Sequence, residues 1–599
     1  MANIRIFDPA CGSGNFLIIA YKQLRLLEIK IITQLKNLYN NTEKITGFEE
    51  KQTVLFKKPQ LSLADVKPKT ALQIELFSRI ELNHFYGIEL DDFAHEIAKL
   101  SLWLAQHQMN MEFNSLLGAT NPSLPLSDAG QITQGNATRL NWETVCPKPK
   151  VGEVFILGNP PYLGYSVQTN DQKEDMAIVF RNFNEYKSLD FIASWFYKAK
   201  KYIENSKSYF AFVTTNSLVQ GEQVYILWEE LLRNDIEIFF AHTSFKWGNN
   251  AKHNAGVSVV IIGIRNKETK PKYIIQKGLK KSVENINAYL NSGRNIYIKP
   301  RQALLSNLPK IGYGSSALDD GNLMFSEEEK NIILKEFPSL KIYFLKAIGS
   351  QELIKGLTRW CIWANTHEDA EILSQCIEIK KRFENVKKFR LLSKREGTIK
   401  ASQTSYRFAE CRFVSGNSII IPKVSSELRD YIPIGFANNV VILDKAFPIY
   451  NSSTFLFSIL SSKMHLSWLN TVGGKLETRL SYSSSIVYNN FPFPPITQAQ
   501  KDELEQHTHN ILKARANHTQ KTLAEMYDPN KMPDDLRQVH QANDKAIEKC
   551  YRDKPFTSDE ERLAYLFNLY ETMIEAEKTK GTLFALEPKA KVIKKAKKK

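Results

Sequence analysis

Phe7-Asp8-Pro9-Ala10-Cys11-Gly12-Ser13-Gly14-Asn15-Phe16 closes a short apolar run at residues 4–7 and opens a stretch with helical spacing. Phe16, Leu17, Ile19, Ala20, Leu24, Leu27 and Ile31 recur at intervals that predict a helix from Asn15 to about Lys36. Gly12 and Gly14 let the backbone turn tightly and approach a ligand with no side chain in the way. Many such turns serve only to pack a helix on a strand, so this one needs support from elsewhere in the chain.

That support starts with alternation. Strands are expected at 85–90 and, more weakly, at 131–135 and 154–157, with a helix over 93–109. A helix at 189–203, a strand at 209–214, a helix at 225–233 and strands at 236–241 and 257–264 complete the series. Such alternation implies a mostly parallel sheet with helices on both faces, and ligands then sit at the carboxyl ends of the strands. Glu89 ends the second strand, where it can accept hydrogen bonds from both hydroxyls of a ribose. It follows the glycine turn at far more than the ~20 residues of a dinucleotide fold. Residues 37–84 are therefore expected to form an insertion.

About 150 residues beyond the turn comes Gly158-Asn159-Pro160-Pro161-Tyr162, directly after an apolar run. Its Asn159-Pro160-Pro161-Tyr162 tetrapeptide suits the methylation of a conjugated amine, a poor nucleophile because its lone pair is delocalised. The Asn159 side-chain oxygen and the Pro160 carbonyl can accept both amine hydrogens, and acceptors fixed in advance stabilise the positive charge that moves onto nitrogen. Pro161 stiffens the loop. Tyr162 offers a ring face to a base swung out of the duplex.

Composition limits the alternatives. The 599 residues are 43% hydrophobic and 24% charged, suited to several folded domains. No apolar run reaches the ~18 residues of a membrane span, and no signal peptide precedes the first strand. Six cysteines without a C-x-x-C pair argue against zinc or a disulfide framework and fit a reducing cytoplasm. No metal is expected. The net charge is +16 and the isoelectric point about 9.2. Lysines 589, 591, 594, 595 and 597–599 supply part of this, and the body remains basic without them. A basic body suits a polyanion such as nucleic acid, or simply a solubilising surface.

The chain resembles gamma-type amino-methyltransferases of bacterial restriction-modification, and most of all the methyltransferase and specificity portions of the MmeI-like enzymes. The likeness rests on residues 8–16, Gly87-Ile88-Glu89-Leu90-Asp91, Leu102-Trp103-Leu104-Ala105, Gly135-Asn136-Ala137 and 157–164. It continues through Leu189-Asp190-Phe191, 213–220, 245–249, Arg359-Trp360-Cys361-Ile362-Trp363, 429–435 and 480–494. The resemblance implies a class I S-adenosylmethionine-dependent methyltransferase fold (α/β, Rossmann-like, mostly parallel sheet) over 1–290. An α+β target-recognition domain over 291–495, a helical region over 496–585 and a basic tail at 586–599 would follow.

The implied activity is site-specific methylation of adenine N6 in duplex DNA, with S-adenosylmethionine as donor. By analogy Asp8, Ala10, Gly12 and Gly14 line the methionine end of the cofactor, with Pro9, Cys11, Asn15 and Phe16 beside them. Glu89, with Leu90, holds the ribose. Asn136 and Ala137 face the cofactor adenine; many relatives carry Asp at the first position, and Asn can reach the amine by its carbonyl oxygen. Asp190, Phe191 or Trp195 would wall the cofactor pocket, with a core role open for the two aromatics. Phe245 or Trp247 would stack on the target base opposite Tyr162, with plain packing as the alternative.

With Asp8 so near the start of the sequence, the resemblance leads to the expectation that the family's helical cover ahead of the first strand and its nuclease domain are missing. The expectation is a chain that does not itself cleave DNA, with a separate chain as the alternative source of the N-terminal cover or the nuclease. In the second half, Tyr406-Arg407-Phe408, Arg412 and the segment from Gly473-Gly474-Lys475 through Arg479 to Tyr482 mix cations with aromatics suited to phosphates and base edges. Each is also compatible with surface or packing. Phe491-Pro492-Phe493-Pro494-Pro495 reads as a stiff linker. Residues 498–580 read as helices broken near Asp528-Pro529 and Met532-Pro533, forming a cap over the DNA cleft. Two alternatives remain: a glutamine or ribosomal-RNA methyltransferase, and an inactive or split DNA-binding specificity subunit.

Overall fold

The computed structural model describes residues 3–46, 78–117, 130–183, 185–246 and 258–585. The chain divides into two compact units, one of residues 1–219 and 223–297, the other of 220–222 and 298–599.

The first unit is built on a nine-stranded sheet. Its elements run β1 (Ile4–Asp8), α1 (Asn15–Thr46), β2 (Phe85–Glu89), α2 (Asp92–Leu117), β3 (Gln131–Gln134), α3 (Trp142–Val145) and β4 (Glu153–Gly158). They continue with α4 (Asn170–Val179), α5 (Ala193–Ile203), β5 (Ser208–Thr215), β6 (Ile236–Lys246), β7 (Ser258–Asn266), β8 (Lys272–Gln276) and β9 (Leu279–Val283). The strand order is β3-β2-β1-β4-β5-β7-β6-β8-β9. Strands β3, β2, β1, β4 and β5 are mutually parallel, and β7 runs antiparallel to both neighbours. Chain order reverses between β1 and β4, so their carboxyl ends form the switch-point crevice.

Helices α1 and α2 bury Leu17, Tyr21, Ala98, Leu102, Ala105, Met109 and Phe113 against Ile6, Phe85 and Ile132 of the sheet. Gly14 has φ +85°, and a Cβ there would stand 3.4 Å from Ala98 of α2. The turn thus brings the two helices into near contact, and the positive φ of Gly14 is one that residues with a side chain rarely adopt.

Several expectations shift. Helix α1 runs ten residues past Lys36, into the expected insertion. The segment just before β2 is part of the fold: Glu28 accepts from the Ser78 hydroxyl (2.6 Å) and the Arg79 N–H (2.7 Å), and Ile80 and Leu82 are buried. Residues 47–77, also within that insertion, lie outside the described residues, as do Trp247 and the basic tail. Helix α5 starts at Ala193, not Leu189, because the Asp190 and Phe191 N–H groups donate out of line to Gln223 Oε1 (3.0 Å) and Leu163 O (2.9 Å). The helix expected at 225–233 is a π-helical turn, Val224–Trp228, followed by Glu229–Leu231. Strands β8 and β9, α3 and α4 had no clear signal in the sequence.

The second unit holds three small sheets. The largest orders Met324–Phe325, Trp360–Ile362, Phe344–Ile348 and Val441–Ile442. Its core gathers Leu323, Phe325, Ile362, Phe383, Val441, Tyr406 and Phe408. Tyr406 and Phe408 are therefore core residues and not base readers. Arg407 is also engaged internally, its Nε donating to Cys411 Sγ.

The segment 491–495 is not a free linker. Phe491 and Phe493 are buried, and Ser306 bridges the Phe491 carbonyl (2.6 Å) and the Phe493 N–H (2.7 Å). Two aromatics spaced to one side of an extended chain bury too much apolar surface to stay in water. The helices Gln498–Ala516 and Asp534–Tyr551 join the same body. Asp544 accepts from the Lys463 N–H and the Tyr431 hydroxyl, both at 2.7 Å. Among the described residues, no helix is long and apolar enough to cross a membrane.

Candidate functional site

The carboxyl ends of β1, β2 and β4 assemble the first group. Asp8 ends β1 and is buried; its Oδ1 accepts the Ala10 N–H at 3.0 Å, while Oδ2 has no partner. Burial, followed by the nearby Glu89 charge, outweighs that bond and pushes the Asp8 carboxyl up to about 7. The turn is pinned from behind: Cys11 N–H donates to Ile88 O (3.0 Å) and Gly12 N–H to Glu89 Oε2 (2.8 Å). Glu89 Oε1 takes the Asp91 N–H at 2.9 Å. Each Glu89 oxygen keeps a second lone pair for a ligand hydroxyl. Burial also pushes the Cys11 thiol far up, which leaves it a neutral wall and not a nucleophile.

Asn159 follows β4, next to β1 in the sheet. Gly158 is required there, because a Cβ would stand 2.5 Å from Asp8 Oδ1. The Asn159 Oδ1 atom is buried and accepts no hydrogen bond. Buried acceptors are nearly always satisfied, so two orphans on adjacent strand ends point to groups supplied by ligands. Pro160 is buried, Pro161 exposed and Tyr162 half-buried. Phe245 lies near the carboxyl end of β6, past an irregularity in its pairing with β7, and meets the His242 ring edge-on at 4.6 Å. β6 is antiparallel to β7, which is antiparallel to β5, so Phe245 shares the edge of Asn159.

The wall residues divide. Trp195 is buried and donates its indole N–H to the Pro9 carbonyl at 3.0 Å, holding the turn that carries Asp8. Phe191 packs edge-on against it at 5.2 Å. Asp190 accepts from the Ser217 hydroxyl, and its Oδ1 lies 3.7 Å from where a Cβ on Gly164 would be. Both aromatics thus back the site through packing, while Asp190 reaches the loop that follows Tyr162.

Asn136 departs from its expected use. Its oxygen already accepts the Thr138 N–H (2.9 Å) and hydroxyl (2.6 Å), and its amide donates to Asp175 Oδ2 at 2.9 Å. Asp175, on α4, is also paired with Arg139 Nε at 2.6 Å. The carbonyl oxygen is thus committed to Thr138, and the group left over is the second amide N–H. Sequence reasoning missed Asp175, Thr138 and Ser217. Only Ser217 had a signal, since it falls inside the matched stretch 213–220.

In the second unit a cavity of about 890 Å³ is bordered by Lys355, Arg359, Lys423, Arg429, Lys445 and Arg479. Burial lowers the pKa of Lys423 and of Arg429, while Asp319, Asp320, Glu352 and Asp444 line the same cavity and Glu352 pairs with Arg359 at 3.3 Å. Arg479 starts a strand, Arg479–Ser481, paired with Gly474–Leu476. Arg412 is bound elsewhere, to Glu410 (2.7 Å) and the Gly314 carbonyl (3.0 Å). Tyr482 is buried against His465.

Comparison with known proteins completes the picture. Family models described as the MmeI DNA-methyltransferase domain, target recognition domain and C-terminal domain match residues 1–276, 292–495 and 496–576. DNA methyltransferase A of Bacillus subtilis (strain 168) is 42% identical over 578 residues, covering 96% of this chain and 62% of that protein. The chain thus spans less than two thirds of that relative's length. A putative type II restriction enzyme and methyltransferase of Methanocaldococcus jannaschii is 35% identical over 102 residues, 17% of this chain and 6% of that protein. The solved structure of the type IIL restriction-modification enzyme MmeI in complex with DNA is similar with a TM-score of 0.84. Its identity is 37%, covering 96% of this chain and 73% of that one. With an α/β sheet domain, a recognition domain and a helical C-terminal region matched in order, this chain belongs to the MmeI family.

Proposed function

We propose that this chain methylates the N6 amine of adenine in duplex DNA at a specific site, with S-adenosylmethionine as donor, within a restriction-modification system. The observation that carries the reading is the orphaned, buried Asn159 oxygen beside the strand end that holds the orphaned Asp8 carboxylate. Membership of the MmeI family and likeness to a structure bound to DNA support it.

The residues present fit such a donor. Asp8 Oδ2 is free for the methionine ammonium, and both Glu89 oxygens keep a lone pair for ribose hydroxyls. Asn136 would present an N–H to a ring nitrogen of the cofactor purine. When bound, the cofactor supplies a methyl group made electrophilic by its sulfonium.

The target adenine leaves the stack because its amine is unreachable inside the duplex. Tyr162 and Phe245 receive the base between them. The Asn159 oxygen and the Pro160 carbonyl accept the two amine hydrogens, favouring a pyramidal nitrogen whose lone pair faces the methyl. A donor held by Asp8 and Glu89 would supply its methyl to that nitrogen, with the electron pair of the carbon–sulfur bond left on sulfur. One amine proton then leaves to solvent. Acceptors already in place stabilise the positive charge passing onto nitrogen without reorganising. In the second unit, Lys423, Lys445, Arg429 and Arg479 would contact the DNA.

The test is incubation of the purified chain with labelled S-adenosylmethionine and unmethylated genomic DNA, followed by nucleoside analysis. Label in N6-methyladenine is the expected result. Label on protein or RNA, or DNA binding without any label, would overturn the proposal.

A further inference from the structure

The first unit has a second concave site that the methyl-transfer reading does not use. A hollow of about 390 Å³ lies between the turn after β3, the end of α4 and the later turns of α5. Four cations border it, Arg139, Arg181, Lys198 and Lys201, against one acid, Glu143. Two of these five are already matched: Arg139 pairs with Asp175 (2.6 Å) and Glu174 (3.4 Å), and Glu143 pairs with Lys148 (2.6 Å). Lys198, Lys201 and Arg181 therefore face one hollow with no carboxylate partner among the described residues.

Their surroundings favour an incoming anion. The Lys198 ammonium spends two of its three N–H groups on the Thr138 (2.9 Å) and Leu140 (2.6 Å) carbonyls, leaving one. Burial, followed by the Lys201 charge, pulls its pKa down to about 8. The Lys201 amine stands 4.4 Å from the centre of the Tyr197 ring. Trp142, Tyr197 and Tyr202 are buried beneath the hollow, and partial burial of Lys198 there strengthens its attraction for an anion relative to bulk water. Lys201 and Arg181 are exposed at the rim and can close on a ligand.

We propose that this hollow is a phosphate-binding site, in which the remaining Lys198 N–H, Lys201 and Arg181 hold the oxygens of a phosphate group. That phosphate belongs either to a nucleic-acid backbone or to a free phosphate compound. The site stands independently of the methyl-transfer reading, since none of its three cations belongs to that machinery.

The test compares the full chain with a Lys201→Gln/Arg181→Gln double variant, two exposed positions whose change leaves the core intact. Calorimetric titration with inorganic pyrophosphate and salt-dependent binding of a short duplex are both measured. The expected result is pyrophosphate binding weakened about tenfold or more in the variant, as for loss of two charge-assisted contacts. A drop of about 2 in the salt slope for the duplex assigns the phosphate to the DNA backbone, at roughly 0.9 per contact. Weaker pyrophosphate binding with an unchanged slope assigns it to a free phosphate compound. Indistinguishable behaviour of variant and parent in both assays overturns the proposal.

Discussion

Arg390 in the second unit and the Asp8–Asn159 edge in the first both bury strong polar groups, yet they treat them in opposite ways. Arg390 is wholly buried, and all five of its N–H donors reach backbone carbonyls, those of Ala317, Leu318, Ala401, Thr404 and Arg407. It serves as a staple, joining three segments distant in sequence. Asp8 is buried and Asn159 half-buried with its Oδ1 enclosed, and each keeps an acceptor without a donor. A satisfied buried group stabilises the fold, whereas an unsatisfied one costs free energy that only a ligand can return. Other orphans occur, at Asn216, Gln220, Asn490 and His465 for example. Two on neighbouring strand ends at the switch point set this edge apart.

Four measurements would break or sharpen that contrast. The largest effect is expected from Asn159→Ala, which should cut methyl transfer about 10³-fold while cofactor and duplex binding persist. Loss of duplex binding in that variant would place the residue outside the reacting pair. Next, Arg390→Met leaves five carbonyls without their donor and should cost about 3 kcal/mol of stability in urea unfolding, with transfer per folded molecule unchanged. If both variants lost stability equally and kept full activity, the contrast would collapse. Tyr162→Ala should weaken capture of the extruded base by ~1–3 kcal/mol, read as a higher KM for the duplex. Normal turnover at low DNA concentration would count against base capture by this ring.

The smallest effect is a slope with pH. Asp8 holds its proton to about 7 in the folded chain, against an ordinary carboxyl that ionises near pH 4. The folded state therefore binds the extra proton between those values. Its contribution to stability is present at low pH and is lost as pH rises through about 7. Asp8→Asn should flatten that part of the unfolding profile of the unliganded chain. An identical profile in the variant would remove Asp8 as the group responsible.

Much of the first unit was legible along the chain. The glycine turn, the alternation of strands with helices and the five-residue segment Gly158–Tyr162 each depend on neighbours a few positions apart, and such patterns survive in one dimension. Fold class and family followed from them. The limits of the sequence reading are equally specific. Tyr406 and Phe408 look like a nucleic-acid surface because aromatics beside arginine suit both roles, and only packing against Phe383 and Trp363 makes them core. The two phenylalanines at 491 and 493 looked like a proline-stiffened linker until Ser306 and the buried contacts fixed them.

What the linear order determined was which strand ends carry chemistry: a turn that only glycine permits after β1, an acid ending β2, and an asparagine between glycine and proline after β4. Tertiary structure alone decided which polar atoms stay unpaired. Asn136, an apparent cofactor ligand by position, spends its oxygen on Thr138 and one N–H on Asp175, 39 residues away. Whether a buried acceptor is free depends on donors brought from distant segments by the sheet and its helices, and no local pattern encodes their arrival.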